Sequence, residues 1–326
     1  MDSDVIEVDG NYGIVNRYGE RSPCLPTHLE TIFKAFLVNF ESKATMKEYA
    51  LAAKEFFMLV GPHIQDVGEL KREHIIFYKT KLKKRGLAHK TILKKLSAIS
   101  SLCKYLAHEG LVDKDITYGV KRPKDYNKKE TKAFTEIEVR KIFESMNPDA
   151  FAYLSHRAIL AVGFYTGLRS SEMRNLKIEN YCKVDGHKVL KTTIKGDKPH
   201  EIPLNPFAVK CIDEHLEKLR DWDLGIAPGD YLFPRVRPLA NKPISAKGLR
   251  KILHDKLKLA GIAISGVRRY SPHSMRATLA THLLNKVEAP LEDVQKLLGH
   301  STPATTQKYN KRDKGHGKSP VYKIDY

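Results

Sequence analysis

Apolar positions along the first hundred residues fall at helical spacing. In HLETIFKAFLVNF, Leu29, Ile32, Phe33, Phe36 and Leu37 recur at i, i+3 and i+4, which predicts a helix from Thr27. SKATMKEYALAAKEFFMLVG repeats the pattern, with Tyr49, Ala52, Ala53, Phe56 and Phe57 on one stripe and Gly61-Pro62 as its stop. Further helices are predicted over Glu69–Arg85, ended by Gly86, and over Lys90–Ala107, ended by Gly110. Four helices joined by short loops describe a small helical domain over residues 27–118. Residues 1–26 are polar and aperiodic, and read as an arm.

A segment rich in Lys, Pro, Gly and Asn covers residues 119–134 and reads as a linker. Thr135 with Glu138 then forms a capping-box signature that opens a second domain, residues 135–326. This domain starts helical, in EIEVRKIFESM and LSHRAILAVGFYTG. Strand-like stretches follow in HKVLKTTIKG and HEIPL, joined by Gly196-Asp197-Lys198-Pro199, and predict a small antiparallel sheet. Helical spacing returns at Pro206–Arg220, Ser245–Ala260, Ser274–Asn285 and Leu291–Leu298. The predicted class is mainly α with a small antiparallel β-sheet, in two domains.

Charge changes the picture: a strong basic surplus favours polyanions, is also compatible with an anionic membrane surface, and has a plain reading as a merely soluble basic protein. The 326 residues carry 57 Lys and Arg against 38 Asp and Glu, a net charge of +19. The surplus is not spread evenly: the arm is acidic, with Asp2, Asp4, Glu7, Asp9 and Glu20 against Arg17 and Arg21. Basic residues concentrate in Lys79–Lys95, Lys121–Lys132 and Lys308–Lys318. Lys81, Lys83, Lys84 and Arg85 meet Lys90, Lys94 and Lys95 across one helix–turn–helix junction. A helix entrance there adds free backbone N–H groups, so these residues, with Lys121 and Arg122 of the linker, are candidate DNA-backbone contacts. No apolar run reaches the roughly 18 residues that span a membrane. The acidic N-terminus has no secretory apolar region. Cys24, Cys103, Cys182 and Cys211 are far apart without a CxxC, which fits neither a zinc site nor a disulfide framework and suits a reducing cytoplasm or nucleoid.

Four tracts carry candidate chemistry. In TGLRSSEMRNL, Gly167 breaks a helix, Arg169 stands at the start of the next and Glu172 lies one turn on. In TTIKGDKPHEIPL, Lys195 sits at a strand end before a turn. In SPHSMRATLATHLL, Pro272 starts a helix and puts His273 and Arg276 on one face of its first turn. Two cations at the positive end of a helix dipole cost stability unless an anion lies between them. In LEDVQKLLGHSTPATTQKYNK, a helix ends at Gly299, His300 follows, and Thr305, Thr306 and Tyr309 lie in the next segment. Singly, each has an ordinary reading as surface charge, solvated turn or core packing.

Their order along the chain, R…K…HxxR…GH…Y from Arg169 to Tyr309, resembles the tyrosine recombinases, the integrase family that includes Xer recombinases, Cre and lambda integrase. TGLRSSE, TIKGDKPHEIPL, HSMR and LLGHSTPATTQKY carry the resemblance, which spans roughly residues 27–310. It implies a helical core-binding domain and a mixed catalytic domain forming a C-shaped clamp around double-stranded DNA. It implies that Tyr309 attacks a DNA phosphodiester to form a 3′-phosphotyrosyl bond, and that Arg169, Arg276 and His300 bind the non-bridging oxygens. His273 would assist proton transfer at the nucleophile, Lys195 would protonate the leaving 5′-oxygen, and Glu172 would orient the cluster. No metal or other cofactor is implied. Partners would be a recombination site, a homotetramer built from dimers on each site, and accessory proteins, with strand exchange through a Holliday junction. His200 departs from a basic residue common in the family after the hairpin lysine, which bears on a DNA contact. The Gly- and Pro-bearing tail after Tyr309 is a poor helix, so Ser319–Tyr326 is expected to extend, with VYKID adding to a neighbour's sheet. Two other readings are a DNA-binding protein with a degenerate site, which has no need of Tyr309, and a type IB topoisomerase or hairpin telomere resolvase.

Overall fold

The computed structural model describes residues 7–8, 14–15, 27–123, 131–194, 197–221, 226–235, 240–263 and 270–310. The chain divides into two compact units, Met1–Lys128 and Lys129–Tyr326.

In the first unit, helices α1 (Thr27–Val38), α2 (Lys43–Val60), α3 (Arg72–Lys84) and α4 (His89–His108) match the four predicted stripes. Ser42 caps α2 by accepting the Thr45 N–H. The apolar stripes meet in one core that includes Phe36, Leu37, Phe56, Tyr78, Leu82, Ile92 and Ile99. A fully buried Leu or Ile contributes about 1.5–3 kcal/mol, so this stripe-to-stripe burial is what holds the unit together. The helix predicted from Glu69 starts later, at Arg72. Asp66 caps a separate 3-10 turn at Val67–Glu69 through the Gly68 N–H (2.7 Å), and Leu70 then buries its side chain from an extended backbone. Within the expected arm, β1 (Glu7–Val8) pairs antiparallel with β2 (Ile14–Val15), a pairing too short for periodicity to reveal.

The second unit opens on the predicted box. Thr135 Oγ1 accepts the Glu138 N–H (3.2 Å), Glu138 Oε2 accepts the Thr135 N–H (2.8 Å), and α5 (Glu136–Glu144) follows. Next come α6 (Tyr153–Thr166) and α7 (Ser170–Arg174). Strands β3 (Tyr181–Val184), β4 (His187–Ile194) and β5 (Lys198–Pro203) form an antiparallel sheet in that order. β3 is an addition to the two predicted strands: four residues give too short an alternation, although Asp185 and Gly186 supply the positive-φ turn into β4. Helices α8 (Pro206–Asp221), α9 (Ala246–Leu259), α10 (Pro272–Asn285) and α11 (Leu291–Leu298) fall where the spacing places them. A short hairpin, β6 (Pro234–Arg235) with β7 (Ala240–Pro243), and a one-turn α12 (Pro303–Gln307) complete the described elements.

α6 is the hub of this unit. Ala158–Phe164 are all buried, and the helix packs on both α8 and α10. Phe134 ties the start of the unit to α10: its ring stacks on Tyr270 at 4.1 Å and its N–H donates to Thr278 Oγ1 (2.8 Å). α6 ends at Gly167, whose φ of +63° is a left-handed conformation that side chains disfavour. A Cβ there would also lie 2.8 Å from Leu298 Cδ2 and 3.1 Å from Leu279 Cδ2. Gly167→Ala is therefore expected to lower the unfolding free energy by about 1–3 kcal/mol, the sum of left-handed strain and overpacking, read as a lower urea midpoint at unchanged slope.

Candidate active site

The cluster is built from the ends of helices. Gly167 turns the chain out of α6, and Arg169 becomes the N-cap of α7 in an extended conformation. Glu172, in the first turn of α7, serves Arg169 twice: Oε2 accepts its backbone N–H (2.8 Å) and Oε1 accepts Nη1 (2.6 Å). Its side chain is only 8% exposed, so the carboxylate is spent on this one residue and fixes the guanidinium. Arg169 Nη2 also reaches the Gly299 carbonyl at 3.4 Å.

Arg276 lies in the first turn of α10 and is almost fully buried, 2% exposed. Its Nη1 donates to the Gly167 carbonyl (2.7 Å) and its Nη2 to the Leu298 carbonyl (2.5 Å). Both acceptors are helix C-termini, of α6 and α11, and bring the negative ends of two dipoles to a buried cation. Burial and the neighbouring Arg169 push its pKa down to about 10, so it remains charged at neutral pH. Nε is buried and has no hydrogen-bond partner among the described residues. Each Nη uses one proton on a carbonyl and keeps a second. The cation cluster is thus undersupplied with acceptors, which is the arrangement an incoming anion completes.

His300 follows the left-handed Gly299 that ends α11. Its N–H donates to the Gln295 carbonyl (3.1 Å), and Gln295 Nε2 donates to the His300 carbonyl (3.0 Å). The ring is 8% exposed, with Nδ1 at 2.8 Å from Thr306 Oγ1. Burial, followed by the charges of Arg276 and Arg169, pushes its pKa down to about 4, so the imidazole is neutral.

Tyr309 stands just past α12. Its N–H donates to the Thr306 carbonyl (3.0 Å), and its own carbonyl accepts Asn285 Nδ2 from the end of α10 (3.0 Å). The ring rests on the small core of Ala280, Leu284, Val294 and Leu298 and lies parallel to the His300 ring, centroids 6.3 Å apart. Its hydroxyl is 3.2 Å from His273 Nε2. Burial raises the Tyr309 pKa, and the Arg276 and Arg169 charges offset part of the rise. Desolvation, then Arg276 and Arg169, lower the His273 pKa below the ordinary 6.5. A neutral imidazole therefore faces a protonated phenol at pH 7, and the phenol has an acceptor for its proton.

Of the sequence candidates, Arg169, Glu172, His273, Arg276, His300 and Tyr309 come together here. Lys195 lies outside the described residues, as does the tail Ser319–Tyr326. The strands on either side of Lys195 pair Ile194 with Lys198, and two of their side chains dock on the end of α11. Ile194 Cδ1 lies 3.0 Å from the position a Gly299 Cβ would take, and His200 Nε2 donates to the Leu297 carbonyl (2.9 Å). The departure at His200 thus serves an internal contact that anchors the hairpin. Asn285 and the side chain of Thr306 also belong to the site. Thr306 stood within a recognisable tract, but nothing local told which of its two threonines faces inward, and Asn285 read only as a helix end.

The candidate DNA contacts all fall in the first unit. Lys81, Lys83 and Lys84 are exposed in α3, with Lys81 over the Phe77 ring, and Lys90 is exposed in the first turns of α4, whose N-terminus lacks a side-chain cap. Three others are engaged by carboxylates of α2: Arg85 (2.5 Å) and Lys95 (2.6 Å) by Glu55, and Lys94 by Glu48. The Lys121 carbonyl accepts Lys79 Nζ (3.1 Å), and Arg122 Nη1 donates to Ser97 Oγ (3.2 Å).

Comparison with known proteins adds an independent line. The sequence pattern of the phage integrase family matches residues 132–316, and that of the phage integrase N-terminal SAM-like domain matches residues 33–110. The chain is 32% identical to the tyrosine recombinase XerC of Bacillus licheniformis over 276 residues, which cover 82% of this chain and 86% of that protein. Among solved structures it shares the fold of the XerH site-specific recombinase bound to its palindromic difH substrate, with TM-score 0.69, 20% identity, and coverage of 91% of this chain and 84% of the other. It also shares the fold of a lambda integrase tetramer bound to a Holliday junction, with TM-score 0.66, 15% identity, and coverage of 90% and 80%.

Glu172 offers a test of the site's construction. An amide in its place cannot accept both the Arg169 N–H and Nη1, because one end now carries a donor. Glu172→Gln is expected to cost about 1–3 kcal/mol in unfolding free energy, measured by urea denaturation.

Proposed function

This chain belongs to the phage integrase family and is a tyrosine-type site-specific recombinase, and from that premise we propose that it cleaves and rejoins DNA strands through a covalent 3′-phosphotyrosyl link on Tyr309. The observation that carries the reading is the hydrogen bond between the Tyr309 hydroxyl and His273 Nε2, made beside two arginines with unspent donors.

The scissile phosphate binds where the donors of Arg169, Arg276 and His300 converge. Fixed donors around a phosphoryl group stabilise the charge that grows on its oxygens in the transition state, and in a desolvated site they do so at little reorganisation cost. Arginine suits this place because its planar fork presents two N–H groups to one phosphate while its other protons stay on the carbonyls. The Tyr309 oxygen bonds to phosphorus as its proton passes to His273, and the bond to the 5′-oxygen breaks. Lys195 supplies the proton to that leaving oxygen. One phosphoester replaces another, so the link conserves the energy needed for rejoining. Attack by a 5′-hydroxyl from the second duplex reverses the step and joins the exchanged strand.

Strand exchange of this kind needs two sites and four active sites. We assign this chain the same plan, dimers on each site and a tetramer around a Holliday junction, as in the lambda integrase assembly. The exposed Lys81, Lys83, Lys84 and Lys90, beside the uncapped start of α4, are the backbone contacts of the first unit.

The test is covalent trapping on nicked duplexes drawn from the DNA that flanks the gene. Wild type is expected to give an SDS-resistant protein–DNA adduct, and Tyr309→Phe none. Tight, salt-sensitive binding without an adduct would instead indicate a DNA-binding protein with an inactive site. The rate should also depend on pH. Because the folded His273 pKa lies below 6.5, single-turnover cleavage is expected to stay level through neutral pH and to fall only in more acid solution, as the ring protonates and stops accepting the Tyr309 proton.

A further inference from the structure

We propose that Thr306 is a positioning residue that sets the tautomer of His300, donating its hydroxyl proton to Nδ1 and so placing the ring proton on Nε2. The inference deepens the recombinase reading above and rests on it for its catalytic consequence.

Thr306 is fully buried, and His300 Nδ1, at 2.8 Å, is the hydrogen-bond partner of its hydroxyl among the described residues. If Nδ1 carried the proton, it would donate to Thr306 Oγ1, and the buried hydroxyl proton would be left without an acceptor. With the hydroxyl donating, both atoms are satisfied and Nε2 becomes an N–H. A doubly protonated ring would place a further cation beside Arg169, Arg276 and Lys308, with His273 also facing it. That form is disfavoured by burial and by those charges, and the pKa stands at about 4. The ring is thus a neutral donor through Nε2.

Geometry elsewhere leaves the ring little freedom. The backbone of His300 is clamped from α11, by the Gln295 carbonyl on its N–H and Gln295 Nε2 on its carbonyl. Thr306 then reaches across from α12, and its own carbonyl accepts the Tyr309 N–H (3.0 Å). One residue therefore joins the phosphate-facing imidazole to the segment bearing the nucleophile. Its neighbour Thr305 does a different job: its hydroxyl pairs with Thr302 Oγ1 (3.0 Å), an exposed contact within the same turn. The two threonines of the tract are not equivalent, and only the second touches the site.

Two variants and two readouts test this. Thr306→Val keeps the shape and removes the hydroxyl, and Thr306→Ser keeps the hydroxyl. Nitrogen-15 NMR of histidine-labelled full-length protein reports which ring nitrogen of His300 is protonated, with His300→Gln used for assignment. Wild type and Thr306→Ser are expected to carry the proton on Nε2, whereas Thr306→Val moves part or all of it to Nδ1. On nicked duplex, adduct formation by Thr306→Val is expected to fall about 10- to 100-fold, the usual effect of losing a partner that orients a reacting group, and Thr306→Ser should recover most of it. Parallel thermal melts of the three proteins show that the loss is not unfolding. A proton on Nδ1 in wild type overturns the proposal. So does a Thr306→Val protein that keeps both the Nε2 proton and the wild-type rate. If wild type forms no adduct on any duplex, the recombinase reading fails, while the NMR still decides whether Thr306 sets the tautomer.

Discussion

The second unit is organised around one buried cation. Arg276 cannot be dehydrated unless something nearby carries opposite charge, and no carboxylate among the described residues bonds to it. The compensation comes from backbone: the carbonyls of Gly167 and Leu298, at the C-termini of α6 and α11, point at its two Nη atoms. Bringing both helix ends to one guanidinium fixes how α6, α10 and α11 meet. It also explains why each helix ends in a left-handed glycine. At Gly167 and Gly299 the chain must turn away at once so that the terminal carbonyl faces inward, and at both positions a Cβ would press on a neighbouring side chain.

The chemistry follows from this packing. The turn after Gly167 delivers Arg169 and the turn after Gly299 delivers His300, so the helix ends that hold Arg276 also release the two side chains that stand with it in the cluster. Burial first, and then the Arg276 and Arg169 charges, hold both imidazoles below the ordinary histidine value and so neutral at pH 7. They can then act as hydrogen-bond donor and proton acceptor without adding charge. Among the described residues, Glu172 is the one carboxylate bonded to the cluster. Both of its oxygens are bound to Arg169, so it orients the site without competing for the anion.

The helical unit handles its charge differently. Its cations sit at the surface, and part of them are held by Glu48 and Glu55 of α2. Burial raises the Glu55 carboxyl, but Lys95, Tyr78 and Arg85 outweigh it and keep the group below its ordinary value, ionised. This pins α3 and α4 to α2 and sets where the remaining lysines project. A net surplus read from composition favours a polyanionic partner. Which lysines remain free to meet it is a matter of neighbours.

Periodicity alone marked the four helices of the first unit, because each buries one stripe against the others. It also placed α8 to α11, and the capping box located α5, since those signals are local. Short elements escaped it: β3 has four residues, too few for alternation to stand out, and the start of α3 shifted because Asp66 capped a different turn. The candidate site residues are named by the order of their tracts and its resemblance to a known family, since each tract taken singly has an ordinary reading. That Arg276 would be buried rather than exposed, that His200 would face the Leu297 carbonyl, and that Thr306 rather than Thr305 would reach His300 could not be read along the chain. Those facts depend on which helix ends converge, and only packing between segments more than a hundred residues apart brings the carbonyl of Gly167 to Arg276.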